Sequence, residues 1–501
     1  MYSPLNDQEI EQPNLNKSTA PMPSEVQKHQ LKTTFLSFFT SPLGKNAITI
    51  CLLITAIAGM ELAWSGVYAW TTSTLLEHGA SGELSTLPFQ LSPIISVIVI
   101  PIAGWASDRV MPRAIRYGYG SRRLILTVTI LVCCLATLCV PLTSGTMFPQ
   151  LPDRFILVSQ LVLNTLIDFT NKTIESFVRA MISTVADERL EEVSHVLMTA
   201  VIGGSMILGF QATSFQVGEY LPVGPTMNVY YPIGVAIFLV TSLPLFLSKA
   251  EARACRDKDA KSTAAERPKD VPLLPVTGPV EEVEGVAKPP AHRTRTSWGQ
   301  VVGVLVWCML VFYSAWVPWT FNPQFLGYIL FQGDPHAPKG STAYEQYEQG
   351  AGFAGTSDSI ISIGTLTAVA TWLILDAVMG RLKRVAKIRP LLLGAGFNVV
   401  MFIGLAMNAF APNIYVFVAA QLLMGSGFGA ATNFVFSRAA HYTHISDAGL
   451  VNTLVFSAET LPQMLCTVSG TMAVGLTGSY RVPYVLGMAP LLVSIPLTFF
   501  L

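Results

Sequence analysis

Twelve stretches of this 501-residue chain are predominantly apolar over about 20 residues or more, the length that carries a helix across a bilayer's hydrocarbon core. They fall at about 47–75, 85–106, 124–143, 155–183, 193–215, 229–248, 299–321, 352–376, 390–410, 413–436, 449–474 and 481–500. Only 12% of the residues are charged, about half the share of a soluble domain, and mean hydropathy is +0.50. So little charge cannot cover a water-soluble surface of this size. Strict apolar–polar alternation over about ten residues, the mark of a membrane β-barrel, is not seen. The expected fold is therefore all-α and polytopic. The polar segment 1–46 is too long for a cleaved signal peptide, so the first apolar run is read as a true span.

Lys+Arg and Asp+Glu both number 31, giving a net charge of zero. That balance argues against a nucleic-acid partner and against an extended acidic docking surface. Cys51, Cys133, Cys134, Cys139, Cys308 and Cys466 lie in apolar runs and Cys255 in a polar one, so no disulfide framework is expected. There is no Walker loop, no dinucleotide fingerprint and no Ser/His/Asp set in a plausible soluble domain. The chain is not expected to be an enzyme, and any transport it performs would be secondary. His441, His444 and Asp447 have a metal-like spacing, but without a thiolate or a rigid helix no metal is expected there.

Orientation follows from the basic residues of the loops. The N-terminal segment and the short loops after spans 2, 4, 8 and 10 carry 16 Lys and Arg. The opposite side carries three, Arg154, Lys339 and Arg481. Both termini are therefore expected in the cytosol. Residues 249–297 are rich in Pro, Lys, Glu and Ala without apolar periodicity, and read as a disordered cytosolic linker. The resulting organisation is a disordered tail (1–46), a six-helix half (47–248), the linker, and a second six-helix half (298–501).

A pattern recurs after the second span of each half. The first copy begins Gly104-Trp-Ala-Ser-Asp108-Arg109 and ends Tyr119-Gly-Ser-Arg122-Arg123. The second runs Asp376-Ala-Val-Met-Gly380-Arg381-Leu-Lys383-Arg384. An acid at a helix end beside a short basic loop can cross-link neighbouring helix ends and hold one face closed. Ordinary positive-inside anchoring is the other reading, and for the second loop it stands level with the first. Gly-x-x-x-Asp-Arg followed by Arg-Arg resembles the loop signature of the major facilitator superfamily. That resemblance implies parallel halves of six spans with a site at their interface near the midplane.

Ionisable residues inside a membrane are costly unless paired or hydrated, so the few present carry the most information. On the fourth span Asp168, Asn171, Lys172, Glu175 and Arg179 follow i, i+3, i+4, i+7 and i+11, one helix face. Such a stripe faces a water-filled cavity or forms an internal ladder of ion pairs. Glu61 is the lone charge of the first span. It either carries a proton or packs as a hydrogen-bonded neutral acid. Trp316, Trp319, Asn322 and Gln324 place aromatic planes beside amides near the end of the seventh span. That combination suits a sugar ring, and it also suits an interfacial aromatic belt.

With these residues named, the chain resembles the sucrose/proton symporters of plants and their animal relatives, solute carrier family 45, over roughly 47–500 without the linker. The resemblance rests on Leu166-Ile-Asp168-x-x-Asn171…Arg179-Ala, on Glu61, and on Phe331-Gln-Gly-Asp-Pro335…Tyr344-Glu-Gln-Tyr347-Glu-Gln-Gly350. It implies proton-coupled symport of a disaccharide or glucoside, sucrose-like, with maltose and glucose as alternatives. Asp168 and Glu61 would couple the proton; Arg179, Asn171, Asn322, Gln324, Trp319 and Trp316 would hold the sugar. Gly104, Asp108, Arg109, Arg122, Arg123, Asp376 and Arg381 would form the cytosolic gate. One departure matters: Asn322 and Gln324 stand where the family has one or two aspartates, and amides do not titrate. An uncoupled facilitator and a non-transporting sensor or scaffold are the alternatives. The expected partners are a small sugar and the lipid bilayer, with no cofactor beyond the coupling proton. A monomer in the plasma membrane is expected, with a vacuolar or lysosomal membrane as the alternative.

Overall fold

The computed structural model describes residues 41–80, 82–116, 120–186, 188–214, 226–253, 295–335, 337–338, 340–380 and 389–501. Met1–Ile48 and Thr49–Leu501 form separate units. Of the first only 41–48 are described, and apart from the first residues of the helix that begins at Pro42 everything below concerns the second.

Twelve long helices make up the described chain. They are α1 (Pro42–Glu77), α2 (Gly82–Arg116), α3 (Ser121–Thr143), α4 (Asp153–Val185), α5 (Glu188–Ser214) and α6 (Thr226–Leu247). The second six are α7 (Trp298–Gln324), α8 (Thr342–Gly380), α9 (Arg389–Ala409), α10 (Ile414–Tyr442), α11 (Ala448–Thr477) and α12 (Val482–Leu497). Each expected span corresponds to one helix, and several helices are longer than their apolar run. α2 continues to Arg116, so Arg109, Arg113 and Arg116 extend a helix rather than sit in a loop. α8 starts at Thr342, so Tyr344–Gly350 is its first turns, and Arg438 belongs to α10.

The linker boundaries also shift. Of the expected disordered segment 249–297, residues 254–294 lie outside the described ones, but both edges are ordered. Residues 250–253 are helical, and Glu251 is buried against Arg122 with 3.9 Å between their charged atoms. At the other edge Ser297 N–H donates to the Tyr442 carbonyl (3.0 Å), and the His444 N–H donates to Thr296 Oγ1 (3.0 Å).

Buried apolar side chains form two cores. One runs from Ile50 to Leu245 within the first six helices. The other runs from Val301 to Leu501 and takes in Ile100 of α2 and Val196 of α5. These two helices therefore carry the packing between halves. In a bilayer, lipid offers apolar contact as readily as a neighbouring helix, so close approach comes from small residues. A Cβ on Gly425 would lie 1.9 Å from the Ile361 carbonyl oxygen, and one on Gly364 2.3 Å from that of Leu422. α8 and α10 thus touch backbone to backbone.

Ten of the twelve helices are long and apolar enough to cross a membrane; the two that fall short are α4 and α11. Their polar residues are largely buried: Asp168, Asn171, Lys172 and Arg179 on α4, and Asn452, Thr453, Glu459, Thr460 and Gln463 on α11. Lipid does not meet these faces; each looks into the bundle. With so many apolar helices, the chain is an integral, multi-pass membrane protein.

Candidate functional site

A central cavity lies between the two halves. It offers about 90 Å³ to the centres of water-sized spheres, several times the 10–15 Å³ that one water needs. From the first half it is lined by Glu61, Trp64 and Tyr68 of α1, by Asp168, Asn171, Lys172 and Glu175 of α4, and by Thr199, Ile202, Gly203 and Met206 of α5. From the second come Trp316 and Trp319 of α7, Ser362 and Thr365 of α8, Phe428 and Thr432 of α10, and Phe456, Glu459 and Thr460 of α11. The spacings explain the selection. Residues 61, 64 and 68 are one helical stripe; 168, 171, 172 and 175 are another; 456, 459 and 460 are a third.

The charges on α4 pair within the helix. Lys172 Nζ donates to Asp168 Oδ2 at 2.7 Å, one turn away. Trp64 Nε1–H donates to the other oxygen, Oδ1, at 3.1 Å. Arg179 donates through Nε (3.0 Å) and Nη2 (2.7 Å) to Glu175 Oε1, again one turn away. Both cations of the cavity region are thus engaged. Glu61 and Glu459 line the same cavity and form no ion pair among the described residues. Glu459 Oε2 is buried without a hydrogen-bond partner, as is Asn171 Oδ1. The cavity lining therefore presents aromatic planes and unmet acceptors, with four carboxylates (Glu61, Asp168, Glu175 and Glu459) and one cation, Lys172.

Arg179, expected to hold substrate, is fully buried and absent from the cavity lining. Its guanidinium lies 3.9 Å from the centre of the Phe436 ring, a contact from the first half to the second. His195 stacks on the same ring system, with centroids 6.1 Å apart. Arg179 thus bridges the two halves, with Nε and Nη2 engaged by Glu175 and Nη1 buried without a hydrogen-bond partner.

Asn322 and Gln324, also expected at the substrate, are not in the lining either. Asn322 Nδ2 donates to Ser357 Oγ (2.8 Å) and Gln421 Oε1 (3.2 Å), and its Oδ1 accepts from Tyr484 OH (2.7 Å). This is a structural network that ties α7 to α8, α10 and α12. Gln324 Oε1 is buried with no partner. The aromatic pair does reach the cavity: Trp319 lies edge-on to Phe428, and Trp316 Nε1–H donates to the Glu459 backbone carbonyl (2.9 Å).

The Gly104–Arg123 segment forms a junction at the α2–α3 end of the bundle. Asp108 accepts from Arg122 Nη2 (2.6 Å) and from the backbone N–H groups of Gly449 (3.1 Å) and Leu450 (2.8 Å). A carboxylate at the N-terminus of α11 meets unsatisfied N–H donors and the positive end of the helix dipole. Gly104 is required there, because a Cβ would lie 2.3 Å from Thr453 Oγ1. Arg122 is fully buried and also donates to Thr184. Arg123 Nη1 donates to the Ser248 carbonyl (2.9 Å), while Arg109 is exposed and lies over the Trp105 ring. In the second copy of the pattern, Arg381 is outside the described residues and nothing is described of the Asp376 side chain.

Among the cavity residues that carry no mark in the sequence reading, Glu459 and Trp64 matter most chemically. Glu459 is a lone acid in an apolar run, the same signal that singles out Glu61. Trp64 stands one turn from Glu61 and completes its stripe. The expectation of no metal at His441, His444 and Asp447 concerns residues engaged otherwise: Asp447 Oδ2 accepts from Thr296 (2.5 Å), and His444 Nδ1 contacts Ser446.

No protein-family profile matches the chain. Among solved structures it superposes on the human organic anion transporter MFSD10 with a TM-score of 0.61, covering 90% of this chain and 99% of that one at 12% identity. It superposes on the proton:xylose symporter XylE, solved with 6-bromo-6-deoxy-D-glucose, with a TM-score of 0.60, covering 91% and 96% at 11% identity. The fold is that of the major facilitator superfamily. At such low identity the likeness shows the fold alone. In sequence, the chain is similar to the human membrane-associated transporter protein, 24% identical over 59% of this chain and 62% of the relative. It is also similar to human solute carrier family 45 member 3, 23% identical over 65% and 58%. The chain thus spans about three fifths of the length of the curated relatives it matches. The resemblance to solute carrier family 45 is carried both by these alignments and by the motifs.

Proposed function

We propose that this chain is a secondary transporter that carries a disaccharide or glucoside through the central cavity by alternating access, driven by protons. The observation that carries the reading is the first-half stripe facing the indoles of both halves: Trp64, Trp316 and Trp319 beside Asp168, Asn171 and Glu175. Indole faces suit the C–H face of a pyranose, and the unpartnered Asn171 amide oxygen accepts from a sugar hydroxyl. The similar proton:xylose symporter was solved with a glucose derivative, which supports a sugar over other solutes. The similar organic anion transporter raises a different substrate class. An anion suits this cavity poorly, because Lys172 and Arg179 are already paired and the carboxylates are in excess.

The α2–α3 end, where Asp108 caps α11, is on this reading the cytosolic gate. The uncoupled facilitator keeps one argument in its favour, since α7 offers Asn322 and Gln324 and no acid. The test of substrate class is counterflow in vesicles containing the purified full chain. Unlabelled sucrose, maltose or glucose inside should drive transient uptake of labelled sucrose, and dicarboxylates should not compete. Competition by anions and not by sugars would overturn the reading.

A further inference from the structure

Two carboxylates of the cavity lining have no ion-pair partner among the described residues, and they belong to different halves, Glu61 on α1 and Glu459 on α11. A coupling group must meet a different environment in the two transport states, or its ion is bound equally in both and nothing is coupled. Asp168 does not meet that requirement well. Its two partners, Lys172 and Trp64, lie on the same half and move with it when one half rocks against the other.

Glu459 meets it. Its carboxylate belongs to the second half, but the charged groups that face it belong to the first: Glu175, Lys172 and Arg179 of α4 act on it, and Glu61 of α1 lines the same cavity. From α7 it is met by the Cys308 thiol and by Trp316, neither of which is a cation. No charged group of α10 or α12 acts on it among the described residues, and Asp108 of α2 meets the N-terminus of α11, about three turns before Glu459. Any rocking of the halves therefore changes what surrounds Glu459. The side chain is 7% exposed, and its Oε2 has no hydrogen-bond partner. An isolated ionised carboxylate buried in this way is costly, and a bound cation relieves the cost.

The local helix is built to yield. Pro462 has no N–H for the carbonyl of Ala458, which loosens α11 at the turn that carries Glu459. The Trp316 indole then ties the Glu459 carbonyl to α7.

We infer that Glu459 is the proton-coupling carboxylate of the C-terminal half, on α11, in place of an acid on α7. The inference rests on the transport reading above, and its first test does not. The purified full chain, free of sugar, is treated with dicyclohexylcarbodiimide, which adds to protonated carboxyl groups in apolar surroundings, and labelled positions are read by mass spectrometry. Label on Glu459, favoured at acid pH and lost at alkaline pH, is the expected result. Label on Asp168 or Glu175 with Glu459 spared, or no label in the cavity, overturns the assignment whatever is transported.

The second test uses vesicles and labelled sucrose. Glu459→Gln should lower accumulation driven by a pH gradient at least tenfold while counterflow exchange stays within about threefold of the unsubstituted chain. Glu459→Asp should restore part of the accumulation. Full accumulation by Glu459→Gln overturns the proposal, and so does joint loss of accumulation and exchange, which marks Glu459 as substrate-holding or structural. If the unsubstituted chain moves no sugar while Glu459 takes the label, the functional reading fails and the ion site stands.

Discussion

The two halves face the cavity with different chemistry. The first presents α4, whose four charges in the stripe 168–179 form two ion pairs along one helix. The second presents α7, whose contribution is two indoles, because Asn322 is drawn away into a network with Ser357, Gln421 and Tyr484. Pairs at i, i+4 travel with their helix and keep their geometry through any rigid-body movement. They keep the interior neutral without registering which state the protein is in. A carboxylate such as Glu459, faced by charges of the other half, is placed to register the state directly. On the proposed reading, folding and coupling thus fall to different residues.

The sharpest way to break this comparison is at the junction between the halves. Asp108→Ala leaves the fully buried Arg122 without its 2.6 Å partner and the α11 terminus without its anion. Removing one member of a buried ion pair costs about 3–5 kcal/mol. Thermal unfolding of the detergent-purified chain should therefore fall sharply, and an unchanged transition would show that the junction is not what holds the halves together.

Next in size is the contrast between α7's two kinds of residue. Asn322→Ala should destabilise by about 1–3 kcal/mol, because Tyr484 and Gln421 lose a buried partner. Sugar affinity should be unaltered in the protein that remains folded. Trp319→Ala should do the reverse, weakening sucrose binding about tenfold, or about 1.4 kcal/mol, with little effect on unfolding. Calorimetric titration with sucrose beside a melting curve separates the two. Equal effects of both substitutions on affinity would return Asn322 to the substrate site.

Gly425→Ala is expected to cost about 1–3 kcal/mol, since its Cβ would meet the Ile361 carbonyl oxygen at 1.9 Å. The smallest effect is reserved for Arg179→Lys. Lysine keeps a cation beside Glu175, loses the planar face over Phe436, and should change sucrose half-saturation less than threefold. A tenfold rise would place Arg179 at the sugar after all.

Much of this was legible in the residues, for identifiable reasons. Apolar runs mark every helix because lipid tolerates little else, and the α4 stripe is visible because polar residues at i, i+3, i+4 and i+7 have no other use there. The position of Asn322 was not legible. Pro318 and Pro323 interrupt α7, so a helical phase counted from Trp316 does not carry reliably through to residues 322 and 324. Arg179 misled for another reason: spacing shows that it shares a face with Asp168, but not that Glu175 and Phe436 claim it first. The partner of Asp108 lies 341 residues away on α11, a distance no local pattern spans.

The most direct test of the account is concentrative uptake. Vesicles containing only this chain are given labelled sucrose outside and a pH gradient of one unit, acid outside, with no other energy source. Each coupled proton then supplies up to about 1.4 kcal/mol, enough for about tenfold accumulation. The account expects sucrose to rise several-fold above its external concentration, and to fall back when a protonophore collapses the gradient. Sucrose that only equilibrates, with or without the gradient, would contradict it.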